Sequence, residues 1–131
     1  MNDTTSGMTS GMTQAAPADL DCVTGWHAHI YYDPAATRSQ AERLRAQLAG
    51  RFPRLQIGRW HDSPVGPHTR AMFQILFAPD DFAAVVPFLA FARGGLSILV
   101  HADGTDDGRK AHIEQAIWMG EPLPLTFRPR A

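Results

Sequence analysis

Two histidines separated by one residue, His27 and His29, have the spacing in this chain that best suits metal chemistry. Side chains alternate between the two faces of a β-strand, so these two imidazoles would share one face. Trp26, Ala28 and Ile30 would form the opposite, apolar face and pack against the core. Two neutral imidazoles held side by side on a rigid strand can chelate zinc, copper or iron.

The other four of the chain's six histidines are His61, His68, His101 and His112. Two prolines and a glycine stiffen the loop between His61 and His68, and histidines on a stiff loop suit acid–base work or ligation. Capping of turns is the competing role for both. His101 closes an apolar strand pattern. His112 lies in a helical pattern, where capping or pairing with an acid is the simpler role.

The elements that must position these side chains are predicted from the spacing of apolar residues. Strand character is found over residues 25–31, 55–60, 71–77 and 96–101, and helical character over residues 37–50, 79–89 and 109–119. Pro87 should kink or shorten the second helix. The order is β-α-β-β-α-β with an extra C-terminal helix and tail, which is typical of a ferredoxin-like α+β sandwich.

This topology brings a third histidine to the first two. In the usual strand order of such a sheet, the first strand is central and the fourth runs antiparallel beside it, so His27 should lie near His101. Three imidazoles would then lie together on the sheet face that carries no helices. Three nitrogen ligands on an accessible face would make an open metal site.

The face with the histidines should also be partly apolar, because it would carry Met72, Leu76 and Leu99. An exposed apolar face usually needs cover. The final helix, the tail at residues 123–127 or a second subunit could provide it. Domains of this kind with one bare sheet face often associate through it, so we expect a homodimer.

Bulk composition indicates one globular domain. The 131 residues are 44% apolar and 19% charged, and the formal net charge of -1 favours neither nucleic acid nor a membrane as a partner. The single cysteine, Cys22, excludes an internal disulfide. Residues 1–22 are interpreted as a flexible tail without a secretory signal. The domain is therefore predicted at residues 23–131, and its location in the cytoplasm.

Several classes of enzyme lack their sequence pattern here. There is no Gly-x-Gly-x-x-Gly and no P-loop, which argues against nucleotide chemistry, and no Gly-x-Ser-x-Gly elbow of a serine hydrolase. The predicted strands carry no paired carboxylates, which argues against a glycosidase. The histidines therefore remain the leading candidates for catalysis or binding.

Six segments, taken in order, resemble one protein family. They are residues 26–32 (WHAHIYY), 58–68 with GRWH and PVGPH, 72–75 (MFQI), 86–89 (VPFL), 93–101 (RGGLSILVH) and 116–125 with AIWMG and LPL. Together they resemble the small DOPA 4,5-dioxygenase family of fungal and bacterial extradiol-type proteins. The resemblance covers residues 25–127, and it also accounts for Pro87.

The resemblance implies a ferredoxin-like fold and an Fe(II)-dependent, non-haem enzyme. Its substrate would be a catechol such as L-DOPA or caffeate, its co-substrate O₂, and its product a muconate semialdehyde. The predicted roles are metal ligation for His27, His29 and His101, proton transfer for His61 and His68, and substrate binding for Tyr31 and Arg93.

Other arrangements and functions stay open at this point. His68 could replace His101 as a ligand, the site could span the face with His29 in the middle, and Asp62 or Asp103 could complete it with a carboxylate. The chain could instead be a non-catalytic, dimeric module that binds a metal or a small aromatic molecule. It could also be an oxygenase of another kind that acts on quinones or haem.

Overall fold

The computed structural model describes residues 20–105 and 107–127, and it centres on one antiparallel sheet with the strand order β2-β3-β1-β4-β5. The strands are β1 (Gly25–Tyr31), β2 (Gln56–Ile57), β3 (Met72–Phe77), β4 (Ile98–Asp103) and β5 (Ile117–Met119). The helices are α1 (Arg38–Arg51), α2 (Phe82–Ala92, preceded by a 3₁₀ turn at Pro79–Asp81) and α3 (Gly108–Ile113). The chain is an α+β protein that matches a ferredoxin-like sandwich in general outline.

One face of the sheet forms the main hydrophobic core with the two long helices. The alternation predicted for β1 is present, because Ala28 and Ile30 are fully buried in this core. The other large, fully buried side chains of the cluster are Phe73 and Ile75 of β3, Ile98 and Val100 of β4, Leu44 and Leu48 of α1, and Val85 and Leu89 of α2. Burial of such side chains contributes about 1.5–3 kcal/mol each. Packing on this face therefore holds the sheet in place, and the alternation of β1 puts His27 and His29 on the opposite face.

The opposite face is covered by the C-terminal part of the chain. Tyr31, Met72, Leu99 and Leu123 form a second buried cluster, against which Ala116, Trp118 and Leu125 pack. Of the covers considered from the sequence, the structure shows two: the tail at residues 123–127 and the final helix α3, whose His112 ring lies 3.9 Å from that of His101 on this face. A second subunit is not needed to cover this face, so the homodimer stays a prediction without that support.

Removing the Leu99 side chain tests how much this second cluster stabilises the fold. We expect Leu99→Ala to lower the free energy of unfolding by about 2–5 kcal/mol, since Leu99 is fully buried. Phe91→Ala is the matched control, because 93% of Phe91 is exposed and its loss should change stability by less than about 0.5 kcal/mol. Urea unfolding of both variants at pH 7 measures the difference, and equal stabilities would contradict it.

The prediction of a helix over residues 109–119 is wrong in its second half. Helix α3 ends at Ile113, and Ile117–Met119 is strand β5, which pairs with residues 98–100 of β4. Ile113, Ala116 and Ile117 have helical spacing by coincidence. The free edge of β4 offers backbone donors and acceptors, and Ile117 and Trp118 suit a strand, so edge pairing outweighs the local pattern.

Smaller differences concern the second strand, Pro87 and the chain start. Strand β2 covers only Gln56–Ile57, and residue 61 adds an isolated bridge to Met72. Helix α2 continues past Pro87 to Ala92. Most of the predicted tail, residues 1–19, lies outside the described residues. None of the helices described here has the length and apolar character needed to cross a bilayer.

Candidate metal centre

The two central strands bring three histidines together, as the topology predicts. His27 lies directly opposite His101 in the pairing of β1 with β4, and their ring centroids are 5.0 Å apart. Nε2 of His29 lies 3.0 Å from Nε2 of His101. One ligand atom from each of the three lies within 4.8 Å of the others. Their role as metal ligands stays a prediction, but the required juxtaposition is present.

Burial keeps the central imidazoles neutral. His29 and His101 are only 3% and 4% exposed, and desolvation lowers the pKa of both, to about 4 for His101 and well below the ordinary value for His29. Repulsion from neighbouring histidines lowers both values further. Since a metal binds the neutral form of imidazole, these side chains are in the ligating state at pH 7.

The hydrogen bonds of these rings fit a metal centre. Nδ1 of His101 lies 2.9 Å from the carbonyl oxygen of Ala102, to which it donates, and this leaves the lone pair on Nε2. Such a bond to the second ring nitrogen is typical of metal-ligating histidines. Among the described residues, Nδ1 of His29 and Nε2 of His27 are buried without a hydrogen-bond partner. An unsatisfied buried nitrogen is costly, and a bound cation would satisfy it.

Two further histidines complete the cluster, and one of them was missed from the sequence. The rings of His68 and His112 lie 4.1 and 5.6 Å from that of His29, and His112 lies 3.9 Å from His101. His112 comes from α3, which contacts β4. The short loop between β4 and α3 was the available signal, because it forces α3 back over the end of β4 that carries His101.

His68 is held by a buried hydrogen bond. Its Nδ1 lies 2.7 Å from the hydroxyl of Tyr31, and Pro67 accepts a backbone hydrogen bond from Thr126 of the tail. Desolvation lowers the pKa of His68 to about 4, with further repulsion from His112 and His61. Burial also raises the pKa of Tyr31. The predicted substrate residue Tyr31 is therefore a direct partner of His68.

The remaining predicted site residues lie outside the cluster or at its border. His61 is half-buried and belongs to neither set of grouped ligand atoms, although its backbone pairs with Met72 on the histidine face. Arg93 donates to the carbonyl of Leu96, which precedes β4 at the end remote from His101. A contact between Arg93 and a substrate at the centre therefore has no support in this geometry.

Of the two carboxylates considered for the site, only one lies beside it. Oδ2 of Asp103 is 3.3 Å from Nε2 of His27, without a hydrogen bond between them. Asp62 accepts hydrogen bonds from Tyr32 and Arg38 on another part of the surface. A carboxylate contribution to this centre would thus come from Asp103.

A cleft of about 370 Å³ opens beside His27. It lies where β1 begins and β3 ends, with Trp26 and Leu76 in its wall. Its charged lining consists of Arg54 and three carboxylates, those of Asp80, Asp81 and Asp103. Arg54 forms an ion pair with Asp81. The cleft borders the three-histidine set through His27, and its volume leaves room for a small ring.

The chain is similar to two fungal proteins and to one solved bacterial structure. It is 38% identical to an uncharacterised 21.2 kDa protein of Botryotinia fuckeliana, over 83% of this chain and 64% of that protein. It is 31% identical to a DOPA 4,5-dioxygenase of Amanita muscaria, over 97% of this chain and 61% of that protein. The chain thus spans less than two thirds of the length of either fungal relative.

The structural comparison agrees with the fold described above. The crystal structure of a candidate dioxygenase from Nostoc punctiforme superposes with a TM-score of 0.77 at 44% identity, over 82% of this chain and 90% of that one. Residues 26–128 match the Dopa 4,5-dioxygenase family as a whole, and this range contains all six histidines. The resemblance predicted from the six segments is confirmed. The chain belongs to the Dopa 4,5-dioxygenase family.

Proposed function

We propose that this chain is a non-haem, Fe(II)-dependent extradiol dioxygenase that cleaves the ring of a catechol. The observation that supports this most is the set of His27, His29 and His101, whose ligand atoms lie within 4.8 Å of one another on two paired strands. Imidazole ligands suit iron, and a set of three leaves coordination positions for substrate and O₂. Family membership supplies the class of reaction.

The metal would supply the chemistry that side chains cannot. A bound Fe(II) ion would act as a Lewis acid toward the catechol oxygens and pass electrons between the catecholate and O₂. The strands would hold the three ligands in place. Asp103, 3.3 Å from His27, would orient that imidazole or lend negative charge to the cation.

We place proton transfer at His68 and His61. With its pKa lowered to about 4, His68 is neutral at pH 7 but a weak base, so it would accept a proton from a catechol hydroxyl whose acidity a bound metal ion had increased. The Tyr31 hydroxyl, 2.7 Å away, holds the ring of His68 in one orientation. His61 is half-buried near the same face, so it can exchange protons with solvent.

The charge of the cleft beside His27 bears on which catechol is used. The three carboxylates and one guanidinium of the cleft should attract an ammonium group of the substrate and repel a carboxylate. L-DOPA carries both groups, whereas caffeate carries the carboxylate alone. We therefore expect kcat/KM for L-DOPA, which carries an ammonium group, to exceed that for caffeate by about tenfold or more, or roughly 1.4 kcal/mol. Steady-state rates with both substrates at low ionic strength measure this preference.

Two variants test whether the cleft causes that preference. Asp80→Asn removes one carboxylate that lines the cleft. It should lower the ratio of kcat/KM for L-DOPA to kcat/KM for caffeate, mainly through a higher KM for L-DOPA. Glu42→Gln is the control, because Glu42 pairs with Arg38 on α1 outside the cleft and its loss should leave the ratio unchanged. An unchanged ratio in Asp80→Asn, or a wild-type preference for caffeate, would show that the substrate lies elsewhere.

The proposed function itself is tested by loading the protein with Fe(II) without oxygen and then admitting air and a catechol. Oxygen uptake together with a yellow product would support ring cleavage. Iron bound by the protein without oxygen uptake on L-DOPA, caffeate or protocatechuate would contradict the dioxygenase and favour a non-catalytic binding module. If the protein bound no iron, the proposed ligand set of His27, His29 and His101 would be wrong.

A further inference from the structure

A second set of three histidines lies beside the first and shares one member with it. His29, His68 and His112 also have one ligand atom each within 4.8 Å of the others. Within the described residues, the two sets do not merge into a larger one that meets this distance. A single ion would therefore use one set or the other, and it would leave two of the five histidines unused.

The two outer members of this second set present the nitrogen that a metal needs. Nδ1 of His68 is hydrogen bonded to the Tyr31 hydroxyl at 2.7 Å, and Nδ1 of His112 lies 2.6 Å from the carbonyl oxygen of Gly108. The Gly108 carbonyl can only accept, so Nδ1 of His112 donates and Nε2 keeps the lone pair. Nε2 of His68 is likewise available for ligation when its Nδ1 donates to the Tyr31 oxygen. Partners of this kind orient the ligating histidines of metal sites.

The shared member can serve both sets at once if its ring N–H proton is released to solvent, because a neutral imidazole has one lone pair whereas an imidazolate has one on each nitrogen. Nε2 of His29 lies 3.0 Å from Nε2 of His101, which belongs to the first set. Its Nδ1 has no hydrogen-bond partner among the described residues, although His29 is only 3% exposed. A buried, unpartnered nitrogen amid four other imidazoles is an independent sign of a missing ligand.

We propose that His29, His68 and His112 bind a second divalent metal ion of the kind that prefers imidazole, such as zinc. The site rests on the proposed function only in that the first set is taken to bind a metal as well. Repulsion between two neighbouring cations should make the second ion bind more weakly than the first. When that ion is bound, His68 is a ligand and cannot accept a proton from the substrate. An excess of zinc should therefore inhibit catechol turnover.

Metal stoichiometry tests the second site without any assay of activity. Metal-free protein is dialysed at pH 7 against increasing concentrations of ZnCl₂, and the bound zinc is measured by elemental analysis. We expect two ions per chain for the wild type, the second at least tenfold weaker, one for His112→Ala, one for His101→Ala and none for His29→Ala. His61→Ala is the matched control and should still bind two, because His61 lies outside both sets.

The outcomes separate this inference from the proposed function. One ion in the wild type that His112→Ala retains and His101→Ala loses would overturn the second site and leave the first intact. One ion that His112→Ala loses and His101→Ala retains would overturn both the second ion and the proposed ligand set. The wild-type count needs no variant, so a misfolded variant cannot hide a failure, and far-UV circular dichroism checks the folding of each variant.

Discussion

Replacing His29 with leucine should abolish metal binding and ring cleavage and yet leave the metal-free protein about as stable as before. His29 belongs to both histidine sets, so no complete set of three remains without it. We expect kcat/KM to fall by about a thousandfold or more, which corresponds to roughly 4 kcal/mol of lost transition-state stabilisation. Most substitutions at a buried position would also destabilise the fold, and this one should not.

Unsatisfied nitrogens decide how stable the His29→Leu variant is. In the wild type, Nδ1 of His29 is buried without a partner, which costs about 1–3 kcal/mol. Leucine removes that atom and adds apolar contact, but it also leaves Nε2 of His101 without its partner at 3.0 Å. These terms oppose each other, so the free energy of unfolding should change by no more than about 1 kcal/mol.

Three measurements on the variant check this prediction: bound iron, oxygen uptake and urea unfolding. His61→Gln is the control, because it should retain the metal while losing rate, and so it separates ligation from proton transfer. A His29→Leu protein that binds iron would remove His29 from the ligand set. A loss of several kcal/mol in stability would instead show that His29 is mainly a packing residue.

The sequence allowed the central part of the fold and of the site to be predicted. The alternation in residues 25–31 is strict, so it fixes both the strand and the face on which His27 and His29 lie. The element order then required the strand that ends near His101 to lie beside β1, and the structure has His27 directly opposite His101. A short-range pattern combined with one rule of topology was sufficient here.

The rest of the site depends on contacts that no local pattern encodes. His112 joins the cluster because α3 is short and β5 takes the free edge of β4, and the apparent helical spacing of residues 109–119 concealed both facts. His68 reaches His29 because the tail bridges to it at Leu125. That bridge joins segments far apart in the chain. The positions of His68 and His112 in the cluster are therefore evident only from the folded structure.

The same cluster should make the metal-free protein sensitive to mild acid. Burial lowers the pKa of His68 and His101 to about 4 and also lowers the pKa of His29 and His112, whereas histidines of the unfolded chain titrate near 6.5. Between these values the unfolded chain binds more protons than the folded one, so stability increases with pH in this window. It is fully present above about pH 7 and falls as the pH drops from about 6.5 toward 4.

This loss should be large compared with the stability of an ordinary domain. One unit of pKa shift corresponds to about 1.4 kcal/mol, and four groups contribute. We therefore expect a loss of several kcal/mol, compared with a free energy of unfolding of about 5–15 kcal/mol for a typical domain.

Urea unfolding at intervals from pH 7.5 to pH 4, with chelator present, measures how steeply the free energy of unfolding depends on pH. His101→Gln should reduce that slope near pH 5 by about 1.4 kcal/mol per pH unit. The same slope in wild type and variant would mean that carboxylates, and not the buried imidazoles, govern acid unfolding. Saturating zinc should steepen the loss, because protons and metal compete for the same nitrogens.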